Sequence, residues 1–362
     1  MIPSTLSLKQ IDSFGQALDA IRKRELADLG EVDARYIRRI VRIQRVLILC
    51  ARVMILAGIA FRPAWIAGVL ALALAKILDN MEIGHNVLHG QYDFMRDPAL
   101  HSQSFEWDIA CPAAHWRHTH NFIHHTHANI VGKDRDIGYG LLRICEDQPW
   151  EPRNRFNVLN ALALGILFEW GVATHHLELD RGLQDRGYYK QITALTAVVW
   201  KKARGQLLKD YLLFPLLAGP FFLTVLVANV AANLIRNLWT FAIIFCGHFP
   251  SEVPMFREED TLGETRGAWY LRQVSGAANI GGGRLFHIVS GNLGHQIEHH
   301  LFPDLPAHRY ARLAVEIRAL CLQYGVPYHT GSLPRQLASV ATRIFRMGKR
   351  PPGTAAPQPT PG

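Results

Sequence analysis

The chain has 362 residues, 49% of them apolar, 19% charged and 10% aromatic. That is too apolar for disorder, and a mean hydropathy of +0.04 is too mixed for a chain sunk entirely in lipid. Lysine and arginine outnumber aspartate and glutamate by 39 to 30, yet no recognition helix, zinc finger or RNA-stacking motif accompanies the excess, so nucleic acid is excluded as a partner.

Residues 1–45 read as a polar, amphipathic, cytosolic segment ending in a basic run: Arg35, Arg38, Arg39, Arg42 and Arg45. They hold no apolar stretch ahead of a small-residue cleavage site, which speaks against a secretory signal peptide. From Val46 the text turns apolar. Residues 46–61 and 63–81 approach the length of a bilayer span and are separated by the turn signal Arg62-Pro63. A second pair follows at 211–230 and 231–247, with Asn233 and Arg236 near the junction. Two hairpins give four crossings. An even number leaves both polar segments on the side of the N-terminus, and the basic run assigns that side to the cytoplasm. Arg52, Lys76 and Asp79 fall within the spans, so these helices do not face lipid all round. A shorter apolar stretch at 158–174, interrupted by Glu169, reads as interfacial or core. The domain runs over 46–348, and the Pro/Gly-rich tail 349–362 reads as disordered.

The histidines carry the chemistry. There are 18 of them, against 5 scattered cysteines that are never spaced C-x-x-C. This fits a reducing compartment with neither a disulfide framework nor a thiolate metal site. The first cluster, His85-Asn-Val-Leu-His89, follows the second apolar stretch; i and i+4 share a helix face, so one metal could take both rings. The second runs from His115 to His127, with His120 and His124 on one face and His125 about 100° away. Adjacent ligands aimed differently suit more than one metal. The third, Gln296-Ile-Glu-His299-His300, follows the second hairpin. Periodicity leaves His118 and His127 open as well, because they share faces with His125 and His120. Absence of H-E-x-x-H disfavours a metalloprotease. Neutral imidazoles leave cation charge uncompensated, so carboxylates are expected behind them. Glu82, Asp108, Asp136 and Glu298 are nearest in sequence.

The boxes HNVLH, HNFIHH and QIEHH resemble those of the membrane fatty acid desaturases. The flanking MEIGHNVLHGQYDFM, GKDRDIGYG and GNLGHQIEHHLFPDLPAHRY are similar to the bacterial acyl-CoA desaturase branch. The resemblance covers about residues 76–325. It implies an all-α integral membrane protein, with four transmembrane helices in two hairpins under a helical cytosolic cap that holds a non-haem di-iron site. Carried over by motif, the iron ligands and catalytic residues are His85, His89, His120, His124, His125, His299 and His300, with His248 of CGHFP a further ligand. Gln296 stands where some relatives have histidine, and Ala128 replaces a usual threonine.

The implied reaction removes two hydrogens from a fatty acyl chain, carried by CoA or a lipid, with O₂ as co-substrate. Trp107, Phe122 and Trp170 are candidate walls for the chain, and Arg117, Lys133, Arg135 and Arg153 are candidate cations for an anionic carrier. The sequence shows no cytochrome b5 segment, flavin fingerprint or iron–sulfur motif. A separate ferredoxin- or reductase-type electron donor is therefore expected. The location implied is the bacterial inner membrane, with the active site facing the cytoplasm. A lipid hydroxylase would use the same boxes. A non-enzymatic metal transporter would instead line its spans with polar ligands. Of the remaining histidines, His175 and His176 are expected to buttress the cap, while His287 and His295 lie near the third box.

Overall fold

A reciprocal capping box starts the first helix: Ser7 Oγ accepts from the Gln10 amide at 3.4 Å, and the Gln10 side chain accepts from the Ser7 amide at 2.9 Å. The computed structural model describes residues 6–178 and 187–352; positions 353–362 of the expected disordered tail lie outside them. Helix α1 (Leu8–Ala27) buries Phe14, Leu18 and Ile21. Helix α2 (Glu31–Ala57) joins the expected cytosolic segment and first span in one 27-residue rod, about 40 Å long. Arginine is a good helix former, so a change from basic to apolar text marks a change of surroundings and no break. The reversal comes at Gly58, where a Cβ would lie 2.4 Å from Trp65. Helix α3 (Arg62–Ile77) then runs back with Pro63 in its first turn.

Helix α3 continues as a π-helical turn, Leu78–His85, and a short α-helical turn, Asn86–Leu88. The second cluster occupies α4, built from Ala113–Trp116, π-helical Arg117–His124 and His125–His127. Next come α5 (Asn157–Ile166) and α6 (Phe168–His175). Helix α7 (Tyr189–Leu208) carries on through a π-helical turn, Lys209–Leu213, and Phe214–Leu217. The chain reverses at Gly219–Phe221, with Gly219 at φ 56°, and α8 is one 27-residue helix, Phe222–His248.

The expected junction at 230/231 is therefore displaced. The punctuation is Ala218-Gly219-Pro220, while Asn233 and Arg236 are buried inside α8. Both have partners: Asn233 donates to the Tyr211 hydroxyl at 2.8 Å, and Arg236 pairs with Glu169. Among the described residues one helix, Gly219–His248, is long and apolar enough to cross a membrane; the bent pair Pro152–Ile166 and Phe168–His175 passes the same test if taken together.

Helices α2, α3 and α8 interlock through Ala51, Ile55, Val69, Leu72, Ala73, Val225, Ala228 and Ala232. The approach is close enough that a Cβ on Gly68 would meet the Ile55 amide at 2.8 Å. The charges inside the apolar stretches meet one another: Lys76 Nζ lies 2.6 Å and Arg52 Nη2 3.7 Å from the Asp210 carboxylate. Mutual neutralisation is what makes ionised groups tolerable there.

The remaining helices are α9 (Arg266–Ser275), α10 (Arg284–Val289), α11 (Gln296–Leu301), α12 (Tyr310–Tyr324) and α13 (Leu333–Gly348). Strands β1 (Asn279–Gly281) and β2 (Thr330–Ser332) pair in parallel, Asn279 opposite Thr330. A second core joins α1, α9, α11 and α12 through Phe14, Leu18, Tyr270, Ile297, Phe302 and Tyr310. Arg309 clamps this end, bonding Asp33 Oδ2 at 2.7 Å and Glu25 Oε2 at 3.0 Å.

Candidate metal centre

Three elements deliver the histidine boxes to one point: the end of α3, the middle of α4 and α11, with the last residue of α8 beside them. Each is held by polar side chains. Asn86 Nδ2 donates to the Glu82 carbonyl at 3.0 Å, and Asn121 Nδ2 ties α4 to the Leu88 carbonyl at 2.7 Å. Gln273 Nε2 reaches the His125 carbonyl at 3.1 Å, while its Oε1 meets His300 Nδ1 at 2.9 Å. Asn279 Oδ1 accepts from the Ile297 amide at 2.9 Å, which sets the start of α11. After α4 the chain turns at Asn129, at φ 59°, a left-handed conformation asparagine tolerates.

Two adjacent groups result. His85, His89, His120 and His299 form one, and His124, His248 and His300 the other; within each, the donor atoms lie within 4.8 Å of one another. The His125 ring sits between them, its centroid 4.6 Å from His300, 4.7 Å from His89 and 4.8 Å from His299. All eight motif histidines are thus brought together. His118 and His127 are not; His118 instead packs on His176 and Phe122. His287 and His295 stack on each other at 4.0 Å, outside both groups.

The donor atoms fit a metal. His124 Nδ1 is 3.0 Å from both oxygens of Asp134, His120 Nδ1 is 3.4 Å from Asp136, and His85 Nδ1 is 3.2 Å from Asn86 Oδ1. Meanwhile Nε2 of His89, His120, His124 and His299, Nδ1 of His248 and both nitrogens of His125 are buried without a hydrogen-bond partner. A buried imidazole nitrogen with no partner costs about 1–3 kcal/mol. In His120 and His124 one nitrogen is anchored on a carboxylate and the other is bare, which is what metal ligation calls for.

Electrostatics agree. Burial, reinforced by neighbouring rings, drives His89, His125, His299 and His300 far below the usual imidazole range. Burial also brings His85 down to about 4. These rings are neutral and free to donate lone pairs. His124 is the exception: burial lowers it, but the Asp134 and Asp136 carboxylates outweigh that and raise it to about 9.

Of the carboxylates expected behind the histidines, only Asp136 is there; it also lies 3.4 Å from His175. Glu82 bonds Tyr36 and Asn292, Asp108 pairs with Lys209, and Glu298 bonds Asn279 and Tyr328. Asp134, the strongest partner, went unmarked in the sequence; its signal was the D-R-D text ten residues after His124. Gln296 is part of the centre, its Nε2 2.9 Å from His248 Nε2. It fits because Gly247 has no side chain: a Cβ there would lie 2.9 Å from Gln296 Cγ.

Cavities meet at the cluster. An open cleft of about 560 Å³ is lined by Asp134, Arg135, Tyr139, Arg153 and His175, among others. Tyr139 and His175 also border a cavity of about 40 Å³ against His85, His120 and His248. That cavity shares Trp116, Val172 and Ile244 with a further one of about 30 Å³, reaching Trp107 and Arg236. Of the expected wall residues, Trp107 lines the smaller of these cavities. Phe122 is 65% exposed, and Trp170 packs beside Trp107 without lining these cavities. Arg135 and Arg153 face the cleft, whereas Lys133 pairs with Glu258 and Arg117 bonds the Ser102 carbonyl.

Comparison with known proteins agrees with this centre. The family described as "Fatty acid desaturase" matches residues 63–332. The NADPH-dependent stearoyl-CoA 9-desaturase of Mycobacterium tuberculosis is 48% identical over 326 residues, covering 89% of this chain and 76% of that protein. The sn-1 linoleoyl-lipid 6-desaturase of Synechocystis is 25% identical over 297 residues, 79% of this chain and 81% of its own. Fatty acid desaturase 3 of Homo sapiens is 25% identical over 240 residues, 65% and 51% respectively. The match in family, in the mycobacterial relative and in the gathered histidines has one meaning: the chain belongs to the fatty acid desaturase family, whose members are membrane-associated oxidoreductases.

Proposed function

We propose that the protein is an O₂-dependent acyl-CoA desaturase with a di-iron centre. The observation that carries this reading is the double histidine group, several of its buried ring nitrogens bare, where an open cleft meets two small cavities of about 40 and 30 Å³. His85, His89, His120 and His299 would hold one iron and His124, His248 and His300 the other, with His125 between them. When bound, the irons supply the O₂ activation that breaks C–H bonds lacking any acidic proton. Two hydrogens leave adjacent methylenes and, with two electrons and two protons from a donor, O₂ becomes two waters. The NADPH in the mycobacterial relative's name favours a separate NADPH-linked reductase as donor.

The chain's own residues do the rest. Arg135 and Arg153 at the cleft attract the anionic carrier. Trp107, Trp116, Val172 and Ile244 exclude water and confine the acyl chain beside the histidines. Asp134 and Asp136 fix the rings of His124 and His120. Helices α2, α3 and α8, with the Lys209–Leu217 continuation of α7, are read as four crossings of the inner membrane with the centre on the cytoplasmic side. The arginine-bearing first half of α2 supports that orientation.

The test is expression in membranes with a reductase, addition of defined acyl-CoAs and mass spectrometry of the products. A product two mass units lighter than the substrate is expected. A hydroxylated product with no double bond would establish the hydroxylase reading instead.

A further inference from the structure

Helices α5 and α6 meet at 93°, and together with Pro152–Phe156 they make a bent apolar pair. One side of α5 packs on α8, where Gly165 lies close to Phe241 and Leu238. The other side is apolar and uncovered: Leu159 is 62% and Leu162 60% exposed, with Val158, Ile166 and Leu167 near half. A helix break survives in hydrocarbon only where protein satisfies its backbone. Here Asn237 Nδ2 donates to the Ile166 carbonyl at 2.8 Å and Arg236 pairs with Glu169 just past the bend.

The other end of α5 is cationic and aromatic. Trp150, Arg155, Phe345, Lys349 and Arg350 line a cavity of about 470 Å³ together with Val158, which begins the exposed apolar face. Lys349 Nζ lies 4.5 Å over the Phe345 ring and the Arg350 guanidinium 5.7 Å over Trp150. Trp150 Nε1 is fixed on the Gly348 carbonyl at 3.2 Å. Among the described residues, Arg155 donates its Nε to the Pro152 carbonyl at 2.8 Å and Lys349 lies over Phe345, and neither has a carboxylate partner. Arg155 and Lys349 bring two positive charges to one cavity, and an anion entering it would offset their repulsion. Aromatics and cations above an uncovered apolar face have the composition of a membrane–water boundary.

We propose that this cavity binds the phosphate of an anionic phospholipid whose acyl chains run down the exposed face of α5. A phosphate ester could also come from a soluble nucleotide carrier; the apolar path leading out of the cavity favours the lipid. The site lies outside the histidine centre. It depends on the membrane location of the family and not on the reaction proposed above, so a failed desaturation assay would leave it standing.

The experiment uses the full chain in phosphatidylcholine nanodiscs doped with phosphatidylglycerol. One lipid or the other carries bromine near the headgroup end of its acyl chains. Trp150 emission is obtained as the difference between wild type and Trp150→Phe. Brominated phosphatidylglycerol should quench it at a much lower mole fraction than brominated phosphatidylcholine. In Arg155→Gln/Lys349→Gln that preference should fall roughly fivefold for each cation removed, while millimolar inorganic phosphate or CoA should leave the wild-type quenching unchanged. Equal quenching by the two lipids in wild type would overturn the proposal, and so would displacement by phosphate or CoA. The wild-type comparison decides even if the double variant fails to fold.

Discussion

Replacing Asp134 by asparagine tests the metal centre where its support is strongest. The carboxylate is fully buried, receives His124 Nδ1 at 3.0 Å on both oxygens, and accepts the amides of Asn129 at 2.8 Å and Asp136 at 3.0 Å. Asparagine keeps the shape but turns one acceptor into a donor. One backbone amide then faces an NH₂ group, a loss of about 1–3 kcal/mol in the metal-free fold. His124 also loses the negative charge that orients its ring. Losing such an anchor typically weakens metal binding 10–100-fold, or about 1.4–2.7 kcal/mol at 1.36 kcal/mol per decade. Iron content after dialysis against a graded chelator, with thermal unfolding of the stripped protein, separates the two effects. Asp136→Asn should cost less, because its contacts with His120 and His124 are longer, at 3.4 and 3.6 Å. Unchanged iron retention in Asp134→Asn, or a larger loss in Asp136→Asn, would refute the reasoning.

Other perturbations separate site from scaffold. Burial pushes Glu82 up to about 8, against bonds from Tyr36 and Asn292 that lower it. A carboxyl raised in the fold contributes its stability fully below the unfolded value of 4.5 and loses it as pH rises through about 8. Glu82→Gln should therefore flatten the fall of Tm across that window while leaving iron content alone, as read by unfolding scans and metal analysis. The buried Arg236–Glu169 pair predicts that Glu169→Gln or Arg236→Met alone destabilises by about 3–5 kcal/mol and that the double variant costs less than the two singles together; unfolding in detergent measures this. Ile244 lines both small cavities, so Ile244→Trp should lower activity on long acyl-CoAs relative to short ones, roughly tenfold or more, in competition assays with mixed chain lengths.

The chain text was informative about chemistry and less so about where helices turn. Apolar stretches at 46–61 and 63–81 fall in α2 and α3, and the residues between them do reverse. The second reversal is harder to place because the largely apolar stretch 211–247 offers little periodic contrast. Equal division by length puts the turn at 230/231, whereas the chain reverses at Gly219-Pro220, the better turn signal. Arg236 looked like a junction residue for the same reason: a charge in apolar text suggests solvent, unless its partner, here Glu169 from 67 positions away, is visible.

The centre itself divides along the same physical line. Ligand candidates recur at helical spacing within one element, so His85 with His89 and His120 with His124 can be seen from order alone. What orients them comes from elsewhere in the chain. Gln273 on α9 reaches His300 and the backbone of α4, Tyr310 on α12 lies 3.5 Å from His299 Nδ1, and Asp134 returns on a loop turned by Asn129. Nearness in sequence suggested Glu82 and Glu298 because each sits within four residues of a box histidine. Both occupy helix faces turned away from the cluster, Glu82 toward Tyr36 and Glu298 toward Tyr328. The π-helical turn Leu78–His85 ends on the first histidine of the first box, and Arg117–His124 holds most of the second. Such turns insert a residue into an α-helix and change which side chains share its faces. Of the three carboxylates, only Glu82 lies in such a turn; Glu298 on α11 and Asp134 on the loop after α4 take their partners from how distant segments pack, which the helical period does not carry.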